Sequence, residues 1–188
     1  MSKTAVVVGG AFNPITTAHL MMGYKAKELF PDVDILFVPS GINFQKSWKN
    51  VDSTFLKDRD KILYDVFKER PEFQLLNIKD KTDLAAIDTV DYLKSIGYTD
   101  IYLCIGADKI NEVSAWKDSE RLVQTVHFLI YTRAGYEIEN ILPHSIVIDT
   151  PPEYNGISST KVRECIKQNK SIKQMVPIEV YNFYRKER

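Results

Sequence analysis

Short apolar runs alternate with helix-period segments along almost the whole chain, and no other feature constrains the fold as tightly. Residues 5–8 and 35–38 are apolar runs closed by Gly9-Gly10 and by Pro39, the pattern of strands buried on both faces of a parallel sheet. Between them, residues 18–30 carry Met22, Ala26, Leu29 and Phe30 at i, i+4, i+7 and i+8, which is one face of a helix. Strand, helix and strand follow in order, so the first two strands should lie parallel.

The alternation continues to the end of the chain. A second helix is predicted over 53–69, with Ser53 as N-cap, Phe55, Ile62, Leu63, Val66 and Phe67 inward, and Pro71 ending it. Further strands are predicted at 73–78, 101–105, 126–131 and 145–148, with helices at 89–96, 120–124, 159–168 and 178–185, the last opened by Pro177. This order predicts an α/β fold: an open, mostly parallel sheet with helices on both faces. Ligands of such sheets sit beyond the carboxyl ends of the strands, where the strand order reverses. No repeat or linker divides residues 1–188, so one domain is expected, with the helices from about 158 packed on it.

Composition narrows the function. Of 188 residues, 25 are Lys or Arg and 25 are Asp or Glu, a formal net charge of zero. No bulk field draws the molecule to nucleic acid or an anionic membrane, so any anion site must be local. Cys104 and Cys165 lack metal-ligand spacing, which points to a reducing compartment and no bound zinc. No apolar run reaches the roughly 18 to 20 residues that span a bilayer, and a cytoplasmic protein is expected.

Gly9-Gly10-Ala11-Phe12-Asn13-Pro14 closes the first strand and leads into a helix near Thr16 or Thr17. Free N–H groups at that helix start could hold a phosphate, although a Gly-Gly pair is equally an ordinary tight turn. His19, three residues after Thr16, can face the loop from the first turn or simply cap the helix. Ser158, Ser159 and Thr160 open a later helix, with Lys161 and Arg163 following. That segment reads either as a second phosphate cradle or as a Ser N-cap before a solvated basic face.

Taken together, these runs resemble a known family. Residues 9–20, GGAFNPITTAHL, are similar to the G-G-x-F-[DN]-P-x-[HT]-x-G-H-L opening of the nucleotidylyltransferase superfamily. Residues 157–163, ISSTKVR, resemble the I-S-S-T-x-[IV]-R motif of its adenylyl-transferring branch. Between them Ile105-Gly106-Ala107-Asp108, Trp116-Lys117 and Arg133-Ala134-Gly135-Tyr136 are similar to the I-G-x-D, W-x and R-P-G-Y of nicotinate or nicotinamide mononucleotide adenylyltransferases. Lys46, Arg59, Ile87-Asp88-Thr89 and the terminal run 176–180 also fit.

The resemblance implies a Rossmann-like nucleotidylyltransferase fold and adenylyl transfer from ATP, with Mg²⁺, to a pyridine mononucleotide. His19 and Thr16 would be catalytic, acting at the phosphates. Gly9, Gly10, Ala11, Phe12, Lys46, Gly106, Asp108, Ile157, Ser158, Ser159, Thr160 and Arg163 would bind ATP. Ala86, Thr89, Trp116, Lys117 and Arg133 would hold the acceptor. Asp108 is either a ribose partner or a helix N-cap, and Trp116 either stacks on the pyridine or belongs to the core. The long connection 40–50 reads as a lid or as disorder. The helix over 178–184 can pack internally or across a homo-oligomer.

Three departures matter. Thr16 and Ala18 stand where these enzymes usually have His and Gly, and a threonine hydroxyl supplies no imidazolium charge. Ala85-Ala86 replaces a Tyr-Thr pair, and Gln45 replaces a His. Thr16 is familiar in phosphopantetheine adenylyltransferases, which keeps that acceptor open. A non-catalytic ATP-binding regulatory protein is the third reading.

Overall fold

The computed structural model describes residues 3–40, 57–76, 78, 85–139 and 141–186. Six strands form one sheet: β1 (Thr4–Gly10), β2 (Asp34–Pro39), β3 (Gln74–Leu75), β4 (Asp100–Gly106), β5 (His127–Tyr131) and β6 (Ser145–Ile148). The order is β3-β2-β1-β4-β5-β6 and every pairing is parallel. The order reverses between β1 and β4, so their carboxyl ends flank the crevice where such sheets bind ligands.

Period-2 patterning sorts each strand between two cores. Val6 and Val8 of β1, Ile35 and Phe37 of β2 and Leu129 of β5 face one side. There they meet α1 (Thr17–Leu29), α2 (Arg59–Phe67), α5 (Ser159–Lys167) and α6 (Ile178–Lys186). Ala5, Val7, Leu36, Ile101, Leu103 and Phe128 face the other. That side is covered by α3 (Ala86–Ser95), α4 (Ser119–Thr125) and a 3-10 helix at Ala107–Ala115. Helices thus lie on both faces, and Val162, Cys165 and Val180 bring α5 and α6 into the first core. No helix among the described residues is long and apolar enough to cross a membrane.

Several boundaries differ from the sequence expectation, each for a local reason. Pro39 does not end β2 but belongs to it, opposite Gly10. Ser40 N makes the bond to Gly10 O at 2.8 Å, so the N–H that proline lacks points away from β1. On that side the ladder stops after the bond from Leu76 N to Phe37 O at 2.9 Å, where Pro39 supplies no further donor. Helix α3 begins at Ala86 rather than 89 because Asp88 accepts from Ala85 N at 3.1 Å and caps the earlier turn. The 3-10 helix escaped the reading, although Ala107, Ile110 and Val113, all buried, recur at its period of three. The start of the helix expected over 53–69, with Ser53 and Phe55, and all but Ser40 of the connection 40–50 lie outside the described residues.

Candidate active site

The first motif is extended strand, then a sharp loop. Gly9 and Gly10 are not a positive-φ turn: both stay in β1, and the left-handed residue is Phe12, at φ 45°. Its ring folds back over Gly10, where a Cβ would come within 3.0 Å of Phe12 Cε1. Glycine is needed here for close approach rather than for turning. Phe12 is buried in the first core, and the Asn13–Pro14 peptide is cis. The Asn13 side chain is buried, and its amide nitrogen and oxygen have no hydrogen-bond partner.

Thr16 is the N-cap of α1 and His19 its third residue, and each bonds the other. Thr16 N donates to His19 Nδ1 at 3.0 Å, Thr16 Oγ1 lies 2.8 Å from the same nitrogen, and His19 N donates to Thr16 Oγ1 at 3.4 Å. The ring stands perpendicular to Phe12, centroids 5.2 Å apart. Thr16 is fully buried, so the expectation that its hydroxyl meets phosphate is corrected: it faces the imidazole. His19 is half-buried, capping and site-facing at once. Burial pulls its pKa down to about 4, with the Arg133 guanidinium as the second cause.

The second motif braces the first. Ser159 Oγ donates to Pro14 O at 2.8 Å, and Arg163 Nη1 donates to Asn13 O at 2.7 Å. Arg163 Nη2 also donates to Thr160 Oγ1 at 3.1 Å, while Ser158 Oγ caps α5 by accepting from Lys161 N at 3.2 Å. The hydroxyls and the guanidinium expected to form a phosphate cradle are therefore largely engaged within the protein. Ser158 takes the capping role that was the alternative reading. What α5 offers outward is its N-terminal N–H groups and the O–H donors of Ser158 and Thr160. Ile157, half-buried, precedes the cap.

Arg59 is the residue the reading undervalued. It is buried, and Nη1 donates to Ser40 O at 2.8 Å and Ala11 O at 3.3 Å, tying the first loop to the end of β2. The signal was present: Arg59, Ile62, Leu63, Val66 and Phe67 share the buried face of α2. A cation on that face calls for carbonyl partners.

Across the crevice, Gly106 ends β4 and Asp108 opens the 3-10 helix. Asp108 is neither N-cap nor free: Arg133 Nη1 lies 3.0 Å from its Oδ2. A Cβ on Gly106 would fall 2.5 Å from Asp108 Oδ1, so glycine makes room for this carboxylate. Arg133 begins a hairpin turn closed by a bridge to Tyr136, with Gly135 at φ 83°. The structure thus joins Asp108, expected to bind ATP, to Arg133, expected to bind the acceptor.

The expected acceptor residues divide. Ala86 is the half-buried first residue of α3, and Trp116 is half-buried against the second core. Lys117 is exposed and pairs with Asp88 at 2.7 Å. Thr89 is buried and its hydroxyl donates to Ala85 O at 3.5 Å. That contact lies inside the helix. Lys46 lies outside the described residues.

Known proteins resemble this chain. Residues 7–165 match the cytidylyltransferase-like family model. A probable nicotinate-nucleotide adenylyltransferase of Caldicellulosiruptor saccharolyticus is 30% identical over 94% of this chain and 93% of its own length. One from Corynebacterium glutamicum is 30% identical over 96% of this chain and 85% of its own. Among solved structures, the Plasmodium falciparum nicotinic acid mononucleotide adenylyltransferase complexed with NaAD superposes with a TM-score of 0.81 at 21% identity, covering 98% of this chain and 96% of that one.

Proposed function

Since this chain belongs to the cytidylyltransferase-like family and is a nucleotidyltransferase, we propose that it transfers the adenylyl group of ATP to nicotinate mononucleotide, releasing pyrophosphate. The observation that carries this reading is the joining of two helix N-termini at one crevice. The loop before α1 is held by Ser159 and Arg163 of α5, which sets His19 and the N-terminal N–H groups of α5 at one crevice where a polyanion can bind.

The acceptor's phosphate oxygen attacks the α-phosphorus in line. A new P–O bond forms, the bond to the bridging oxygen breaks, and pyrophosphate leaves with that electron pair. The nucleophile is already anionic, so no base is needed. The protein aligns two polyanions and stabilises charge in the transition state. Mg²⁺ enters with ATP as part of the substrate. Among the described residues no cluster of three His, Cys, Asp or Glu gathers to hold a metal of the protein's own.

His19 takes the α-phosphate and the backbone of Gly9 to Phe12 the neighbouring oxygens. The N-terminus of α5, from Ile157 to Thr160, takes the β- and γ-phosphates with Lys46. Asp108 and Arg133 exchange their mutual pair for ribose hydroxyls and phosphate. Trp116 stacks on the pyridine, with Ala86 and Lys117 beside it. The relatives at 30% identity, named probable nicotinate-nucleotide adenylyltransferases, favour this acceptor over phosphopantetheine. Residues 1–188 act as one domain. The cytoplasm, where ATP is abundant and the free Cys104 and Cys165 stay reduced, is the proposed setting.

Pyrophosphate release and product mass test this reading. Purified protein with MgATP is expected to respond to nicotinate mononucleotide and less to nicotinamide mononucleotide. Release only with phosphopantetheine, or with no acceptor at all, overturns it.

A further inference from the structure

We propose that Thr16 is a positioning residue that locks His19 in the neutral Nε2–H tautomer, so that His19 meets phosphate as an uncharged hydrogen-bond donor and not as an imidazolium or an acid. This rests on the adenylyl-transfer reading only for the identity of the phosphate.

A backbone N–H can only donate, and Thr16 N points at His19 Nδ1 from 3.0 Å. Nδ1 must therefore carry a lone pair, which places the ring's proton on Nε2. The 2.8 Å contact between Thr16 Oγ1 and Nδ1 then has one direction: the hydroxyl donates. Its own lone pair accepts from His19 N at 3.4 Å. Every polar atom of this turn has a defined role, and the side chain that makes it possible is fully buried.

Protonation would set an Nδ1–H against the Thr16 N–H, which cannot turn to accept it, and would force the Thr16 hydroxyl to reverse. Arg133, approaching from the end of β5 and paired with Asp108, is the charged group acting on the ring, and it opposes a second positive charge. Phe12, perpendicular to the ring at 5.2 Å, restricts the rotation that would let Nδ1 turn away. Nε2 is left as the one donor directed out of the turn. Threonine in place of the family's usual histidine thus orients the donor, and cationic charge at the phosphates falls to Arg133.

The test uses ¹⁵N-histidine-labelled free protein. The chain has three histidines, and the His19 signals are identified by their loss in His19→Gln. Long-range ¹H–¹⁵N correlation is expected to show the Nε2–H tautomer unchanged across roughly pH 6 to 8. An Nδ1–H tautomer, or titration near the ordinary histidine value, overturns the proposal without any variant of Thr16. In the enzyme, Thr16→Val is expected to lower kcat roughly 3- to 10-fold, the worth of one hydrogen bond. KM for ATP should stay within about twofold, the ring should stay in the Nε2–H form because the Thr16 backbone N–H remains, and Thr16→Ser should restore kcat. A Val variant equal to the parent in kcat also overturns it. Absence of turnover with every acceptor would refute adenylyl transfer while leaving the tautomer measurement decisive.

Discussion

Arg163 Nη1 donates to the backbone carbonyl of Asn13 at 2.7 Å across 150 residues of chain, making the second motif a brace for the first. A charged donor on a partly buried carbonyl contributes about 1.5–3 kcal/mol. Arg163→Met is therefore expected to lower the Tm of the ligand-free protein and to weaken ATP binding about 10-fold or more. A residue that only touched phosphate would leave the ligand-free Tm unchanged, so differential scanning calorimetry without nucleotide separates the two roles.

His19 is expected to matter to turnover and little to the fold. Removing one preorganised donor to a developing phosphate charge costs on the order of 10²–10³ in kcat. His19→Ala should show that loss with its circular dichroism spectrum preserved, because α1 keeps its Thr16 cap. Turnover near the parent's would remove His19 from the chemistry.

The lowered His19 pKa predicts a pH dependence of stability. Its value falls from 6.5 in the unfolded chain to about 4 in the native one. Between those values the unfolded state binds more protons, so stability rises with pH through this window and is lost as pH falls from 6.5 toward 4. The half-buried ring contributes about 2–3 kcal/mol at most. Urea unfolding at pH 7 and at pH 4.5 should show a smaller acid loss in His19→Gln than in the parent. Equal losses in both would place the acid sensitivity elsewhere.

Gly106 and Asp108 are expected to act as one unit. A Cβ at Gly106 would lie 2.5 Å from Asp108 Oδ1, displacing the carboxylate that holds Arg133 at 3.0 Å. Gly106→Ala and Asp108→Ala should each lower kcat/KM by about 10-fold, and the double variant should be no worse than either. Additive losses would show that Gly106 serves something other than Asp108.

Much of the fold was legible because its signals are local. The run 35–38 and the helical period over 18–30 are read within a few residues of themselves, and β2 and α1 stand where they point, although the buried face of α1 is Leu20, Met21, Gly23 and Ala26 and Leu29 is exposed. The Ser158 cap was equally readable, since an N-cap is recognised by its own turn. Less legible were elements of a period other than the strand's or the α-helix's, such as the 3-10 helix at Ala107–Ala115. The start of α3, moved by a single Asp88 bond, was another.

Of this protein the sequence by itself determined the alternation of strands and helices, the two cores that period-2 patterning separates, and the two motifs with their order. All of these follow from covalent neighbours and local periodicity. Only the tertiary structure decided the order β3-β2-β1-β4-β5-β6, the meeting of Asp108 with Arg133 and the hold of Arg163 on Asn13. It also decided that the Thr16 hydroxyl turns inward to His19. The physical reason is the same in each case: a polar group chooses its partner by distance and desolvation, and residues far apart in the chain acquire both only once the sheet has assembled.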